Sequence, residues 1–214
     1  MVAERGGAMT AAMQQRGMIA ALKHFPGHGD TEVDSHLGLP RVEHSIEQIN
    51  SVDLLPFAQI IQQHNPGMIM TAHIQYPALD NSTFVSKDGE TMLKPATLSR
   101  KILHDVLREQ LGYNGVIVTD ALDMAGISKF FTHTEAVVQT FAAGADIALM
   151  PVKLQHPGEL TALAELLNAL EAAVNKGEIN KAELTASYQR IVALKQQYPL
   201  LPAQTSVQKQ VQQA

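Results

Sequence analysis

Four short apolar runs, each separated from the next by a stretch long enough for a helix, constrain this chain most. The spacing predicts strands over Met18–His24, Met68–His73, Val116–Thr119 and Asp146–Met150. Each reads as a continuous apolar run rather than an alternating one, the pattern of a strand covered on both faces. Helical periodicity fills the gaps. Ala3–Gln15 precedes the first strand. Ser45, with Gln48 three residues on, opens a helical segment reaching His64, interrupted at Pro56. Thr97 or Ser99 caps a helix carrying Leu98, Ile102, Val106, Leu107 and Leu111. Further helices are expected at about residues 134–143, 159–175 and 181–197. Alternating strands and helices of this kind make an α/β protein with a parallel sheet.

Four strands cannot close a barrel, which needs eight. The order therefore fits either a small open sheet or a partial (β/α)8 TIM-type barrel. Helices follow the fourth strand, so the missing barrel strands are expected before Met1. On this reading residues 1–200 are the C-terminal portion of a barrel and residues 201–214 a Gln-rich polar tail.

Polar residues gather where the runs end. Lys23 and His24 close the first, His73 the second, Thr119 and Asp120 the third. Side chains at the C-terminal ends of several parallel strands are the usual layout of an active site on such a sheet. The densest cluster is Lys23–Pro40, KHFPGHGDTEVDSHLGLP, which is too broken by Gly and Pro to be a helix. Buried without partners, its polar groups would each cost roughly 1–3 kcal/mol. A loop carried on a rigid strand is the natural place for them.

Within that loop, Asp34 stands two residues before His36. A carboxylate so placed can accept a bond from Nδ1–H and leave Nε2 to give and take a proton; local turn work is the competing reading. Asp120 is either a nucleophile or general base, or a cap for the helix after it. Asp123 is the rival carboxylate, with capping as its expected task. A buried Lys23 needs a carboxylate or a ligand. His24, His28 and Asp30 have ligand-like spacing, but Pro26, Gly27 and Gly29 forbid the helix that would present them, so no metal is expected. His44, His64, His104, His133 and His156 read as solvated. With no G-x-G-x-x-G, P-loop or G-x-S-x-G, nucleotide cofactors and serine hydrolase chemistry have no support, and no cofactor is expected.

Composition removes other classes. A net charge of −5 gives no electrostatic footprint for nucleic acid or an anionic membrane. The absence of Cys excludes a disulfide framework and thiolate chemistry. No apolar run approaches the roughly 18 residues of a membrane span. The first residues lack the layout of a signal peptide, and the compartment stays open.

The Lys23–Pro40 segment resembles the signature stretch of family 3 glycoside hydrolases of the β-N-acetylglucosaminidase type. The resemblance continues through LLPF (54–57), IMTAHI (69–74), PATLSRKIL (95–103), GVIVTDALDM (115–124) and AGADIALMP (143–151), in family order. It implies a (β/α)8-type barrel and retaining hydrolysis of terminal, non-reducing β-linked N-acetylglucosamine. By the same resemblance Asp120 matches the nucleophile, His36 the acid/base and Asp34 its partner. Lys23 and His24 match residues that bind sugar hydroxyls, and His73 is a further pocket candidate. The early barrel strands and their sugar-binding residues have no counterpart in residues 1–17, so the chain looks like a fragment of such an enzyme. Two alternatives use the same residues: a phosphorylase with phosphate as acceptor, and an inactive sugar-binding or partner-binding remnant. The expected partner is an N-acetylglucosamine-containing saccharide, with no nucleic acid, membrane span or obligate protein partner.

Overall fold

A computed structural model describes residues 1–31 and 38–198. Three parallel strands form its central sheet in the order β1–β2–β5: β1 (Ala21–Phe25), β2 (Met68–Thr71) and β5 (Val116–Val118). Ile69 sits opposite both Leu22 and Ile117, and Phe25 pairs with Thr71 after an irregularity in β1. The strand ends therefore meet at one rim, where Lys23 and His24, Ala72 and His73, and Thr119 and Asp120 all emerge. The expected strands lie at these places but are shorter. Met18–Ala20 stays outside β1, and Met18 and Ile19 are exposed.

The fourth expected strand, Asp146–Met150, is reduced to a single parallel bridge between Ile147 and Val118. Backbone bonds flank that bridge, from Ile147 N–H to Ile117 O and from Thr119 N–H to Ile147 O, and side chains add to them. Asp146 Oδ2 accepts the Ile117 N–H at 2.7 Å, and Thr119 Oγ1 accepts the Leu149 N–H at 3.0 Å. The sheet is open, so a barrel is not formed by the described residues; the α/β class and the parallel arrangement are as expected.

Helix α1 (Val2–Gln15) lies against α3 (Leu55–His64), which follows the short turn α2 (Ile46–Gln48) and a wider π-type turn over Ile49–Asp53. Ser45 caps α2 as expected, accepting the Gln48 N–H. Pro56 is tolerated because it falls in the first turn of α3, where its missing N–H has no partner to lose. Gln14 reaches across to the turn between α3 and β2. Its amide donates to His64 O, and its carbonyl accepts from the Gly67 N–H.

Within the polar stretch Tyr76–Lys94 the chain forms an antiparallel hairpin of β3 (Thr83–Val85) and β4 (Thr91–Leu93). Of the two expected caps, Ser99 fills the role, accepting the Ile102 N–H ahead of a π-type helix over Lys101–Gln110. Thr97 sits in a tighter turn over Ala96–Leu98, and its hydroxyl goes elsewhere. Then follow α4 (Ala125–Ser128), α5 (His133–Ala143), α6 (Leu160–Asn175) and α7 (Lys181–Gln197). Thr132 and Glu135 form a capping box at the start of α5. The polar tail at 201–214 lies outside the described residues.

Two apolar clusters hold these layers together. One gathers Phe25, Ile69 and Ile117 from the sheet with Ile61 of α3 and Ile102, Leu103 and Leu107 of the π-type helix. Each such fully buried side chain stabilises the fold by roughly 1.5–3 kcal/mol. The second packs Phe84 of the hairpin against Phe131, with Ile127, Val137 and Leu166 around them. Opposite the rim is a polar clamp. The Asp146 carboxylate, fully buried, receives Arg108 Nη2 on one oxygen and Arg190 Nη2 on the other, each at 2.7 Å. Arg108 also donates to the carbonyls of Tyr113 and Gly115. The clamp fixes the floor end of β5.

Candidate active site

Asp120 leaves the end of β5 with a quarter or less of its side chain exposed. Its two oxygens are held differently. Oδ1 accepts the N–H of the next residue, Ala121, at 2.8 Å, while Oδ2 faces His24 Nε2 at 3.5 Å. The backbone N–H of Asp120 donates to Thr71 O, which ties the nucleophile candidate to the neighbouring strand. So the carboxylate does not cap a following helix: α4 begins later, at a Met124 cap with no side-chain bond.

Lys23 and His24 follow one another near the end of β1, where its register with β2 is irregular. His24 points along the rim to Asp120. Lys23 is exposed, so the expectation of a buried Lys held by a carboxylate is not met. The reason is its place on β1, the edge strand of the sheet, where water reaches the ammonium. Both line a groove of about 390 Å³ between α1, β1 and α3, together with Gly27, His28 and Asp53.

Gly27 turns the chain from β1 into the polar loop. Its φ is +154°, and a side chain there would begin 3.1 Å from Tyr76 Oη and 3.3 Å from Asp53 Cβ. Tyr76 donates its phenolic O–H to Gly27 O. The loop's next anchor is His44, which is not the solvated histidine the sequence suggests. Its Nδ1 meets Asp53 at 2.7 Å and its Nε2 meets Asp30 at 2.8 Å. Bonds to Asp53 first, and then to Asp30, raise its pKa above the ordinary histidine value, more than burial lowers it. Asp34 and His36, the expected dyad, lie outside the described residues.

His73 is placed differently from the expectation of a sugar contact. It is almost wholly buried, at 1% exposure, and both ring nitrogens have protein partners. Nδ1 lies 2.9 Å from Thr97 Oγ1, and Nε2 lies 2.9 Å from Ala121 O. Thr97 Oγ1 in turn lies 2.8 Å from Thr71 Oγ1 and 2.9 Å from Ala72 O. Burial pushes the imidazole pKa down; the Ala121 carbonyl and the Asp120 charge oppose it without prevailing. Among the described residues no group of three or more metal-ligating side chains is poised to hold an ion, and no helix is long and apolar enough to cross a membrane.

The parallel sheet thus carries an aspartate at the end of β5 and a Lys-His pair at the end of β1, with β2 between them, and the comparisons give the class of protein. Residues 1–194 match the model of the glycosyl hydrolase family 3 N-terminal domain, and the chain belongs to that family. Among its relatives, beta-hexosaminidase A of Pseudoalteromonas piscicida is 50% identical over 207 residues, covering 97% of this chain and 35% of that protein. The beta-hexosaminidase of Chromobacterium violaceum is 38% identical over 147 residues, 67% of this chain and 38% of that one. Among solved structures, a glycoside hydrolase family 3 beta-N-acetylglucosaminidase from Paenibacillus sp. str. FPU-7 superposes with a TM-score of 0.79 at 39% identity, covering 92% of this chain and 34% of that chain. The chain thus spans about a third of the length of these relatives.

Proposed function

We propose that this chain carries the bond-cleaving residues of a retaining β-N-acetylhexosaminidase that removes terminal, non-reducing β-linked N-acetylglucosamine. The observation that carries the reading is the Asp120 carboxylate: one oxygen bonded to Ala121 N–H, the other directed along the rim toward His24. A nucleophile needs one oxygen free to reach the anomeric carbon, and this arrangement leaves Oδ2 for it. The names of the relatives supply the substrate class.

In the first step Asp120 Oδ2 attacks C1 while His36, as imidazolium, protonates the departing glycosidic oxygen. A covalent glycosyl-Asp120 ester forms and the aglycone leaves. In the second step His36, now neutral, takes a proton from water, the water oxygen attacks C1, and the ester is released. Most retaining glycosidases use two carboxyl groups about 5–5.5 Å apart. A neutral imidazole in place of one of them does not repel an anionic nucleophile, and Asp34 tunes its basicity. Lys23 and His24 bind sugar hydroxyls from β1, on the far side of β2.

The test is hydrolysis of an aryl β-N-acetylglucosaminide, with the product anomer followed by proton NMR. The β anomer is expected first, and Asp120→Ala is expected to lower turnover by at least about 10³-fold. Wild-type-like hydrolysis by Asp120→Ala, or first release of the α anomer, would sink the proposal. Running the assay with added phosphate identifies the acceptor: an anomeric sugar phosphate as product would replace hydrolysis with phosphorolysis.

A further inference from the structure

The hydrogens around His73 can be counted. Ala121 O can only accept, so His73 Nε2 must carry a proton; a bare Nε2 would set two lone pairs against each other at 2.9 Å. The state of Nδ1 depends on Thr97, whose hydroxyl has one proton and three neighbours: Thr71 Oγ1, Ala72 O and His73 Nδ1.

An imidazolium would satisfy the geometry, with Nδ1–H donating to Thr97 and Thr97 donating to Ala72 O. It would also bury a cation at 1% exposure, and neither ring nitrogen is bonded to a carboxylate. The charged groups that act on the ring are Asp120, which favours the cation, and His24 and His28, which oppose it. The neutral ring avoids the burial cost. Thr71 then donates to Thr97, Thr97 donates to Nδ1, and Nε2–H donates to Ala121 O. Ala72 O is not orphaned, because it also accepts the Thr97 backbone N–H at 3.2 Å.

Ala121 is therefore gripped at both ends, its carbonyl by His73 and its N–H by Asp120 Oδ1. If the grip at the carbonyl is lost, the residue can turn and the carboxylate can turn with it. We propose that His73 is a positioning residue: held as the neutral Nε2–H tautomer by the Thr71–Thr97 hydroxyl pair, it fixes Ala121 and so directs Oδ2 of Asp120 toward the sugar. The proposal rests on Asp120 being the nucleophile. It moves His73 from the sugar pocket, where sequence puts it, to the layer behind the reacting carboxylate.

Two measurements test it on the intact protein. A long-range proton–nitrogen NMR spectrum at about pH 7 to 8 should show His73 protonated on Nε2 and bare on Nδ1. An imidazolium, or the Nδ1–H form, in that range overturns the proposal. Second, His73→Leu fills the space without the donor, whereas the amide of His73→Gln can supply an N–H at the Nε2 position. His73→Leu should lower kcat about 10- to 100-fold with KM within about twofold, the size expected when a reacting group is misplaced by a fraction of an ångström. His73→Gln should recover most of the loss. The Ala121 amide resonance should move in His73→Leu whether or not turnover is measurable.

A raised KM with kcat kept would return His73 to sugar binding. Equal impairment of the Leu and Gln variants would reduce it to a structural residue, and an unmoved Ala121 amide would refute the grip. Should His73→Leu not fold, Thr97→Val serves in its place, with a mixed His73 tautomer and lowered kcat expected and an unchanged tautomer and kcat counting against the proposal. Absence of wild-type turnover on the aryl sugar would strike the hexosaminidase reading alone, leaving the two NMR results to judge His73.

Discussion

Removing Arg190 and removing Asp146 should cost the protein different amounts, although both changes break the same ion pair. Arg190 donates from Nε at 3.0 Å and from Nη2 at 2.7 Å to one oxygen of Asp146. Its side chain is 26% exposed, against 12% for Arg108 and 0% for Asp146. In Arg190→Ala the carboxylate keeps Arg108 and the Ile117 N–H, so it remains compensated. The loss is one partly hydrated, charge-assisted contact, about 1.5–3 kcal/mol. In Asp146→Ala both guanidinium groups lose their partner and the Ile117 N–H loses its acceptor. A buried pair broken from that side costs about 3–5 kcal/mol. Urea unfolding followed by circular dichroism, with linear extrapolation to water, gives both values on one scale. The reasoning fails if the two variants are equally unstable, or if either lies within about 0.5 kcal/mol of wild type, the range of an ordinary surface change.

His44 should make stability depend on pH. Its pKa is raised in the folded state by Asp53 and Asp30, so its contribution is complete below the unfolded value of about 6.5 and is lost as pH rises through the higher folded value. His44→Gln should flatten that part of the stability–pH curve, and a curve identical to wild type would contradict the assignment. Gly144 ends α5 with φ +103°, so Gly144→Ala should destabilise by about 1 kcal/mol in the same unfolding assay. Thr132→Ala, which removes the hydroxyl of the capping box on that helix, should cost a similar amount, about 1 kcal/mol.

The order of strands and helices, and the residues at the rim, could be read from the chain because both depend on local pattern. A continuous apolar run such as Val116–Val118 announces a buried strand, and the polar residue that ends it marks the rim. What could not be read depends on pairings distant in sequence. Arg108 and Arg190 look like ordinary helical surface residues until Asp146 lies between them, 38 and 44 residues away. His44 reads as solvated because its carboxylates lie 9 and 14 residues off. His73 ends its apolar run just as a pocket residue would; the hydroxyl of Thr97, 24 residues on, is what turns it inward. The strand expected at Asp146–Met150 was lost for a related reason. Its pairing with β5 is confined to the backbone around Ile147, and the chain leaves the extended conformation at Met150, which is left-handed at φ +50°. The β3–β4 hairpin carried a fair local signal, the Asp88-Gly89 turn between two short β-prone runs, outweighed by the polarity around it.

The strand β5 is only three residues long, yet its floor end is held by the arginine–aspartate clamp and its rim end passes into Asp120, the proposed nucleophile. Durability and chemistry are therefore assigned to opposite ends of one short rod. Loops on the upper side can be lengthened or exchanged while the anchorage beneath stays untouched. Conversely, the molecule can be toughened from below without re-aiming its carboxylate. A lineage built on this plan can alter what its rim holds and how long it lasts as two separate matters.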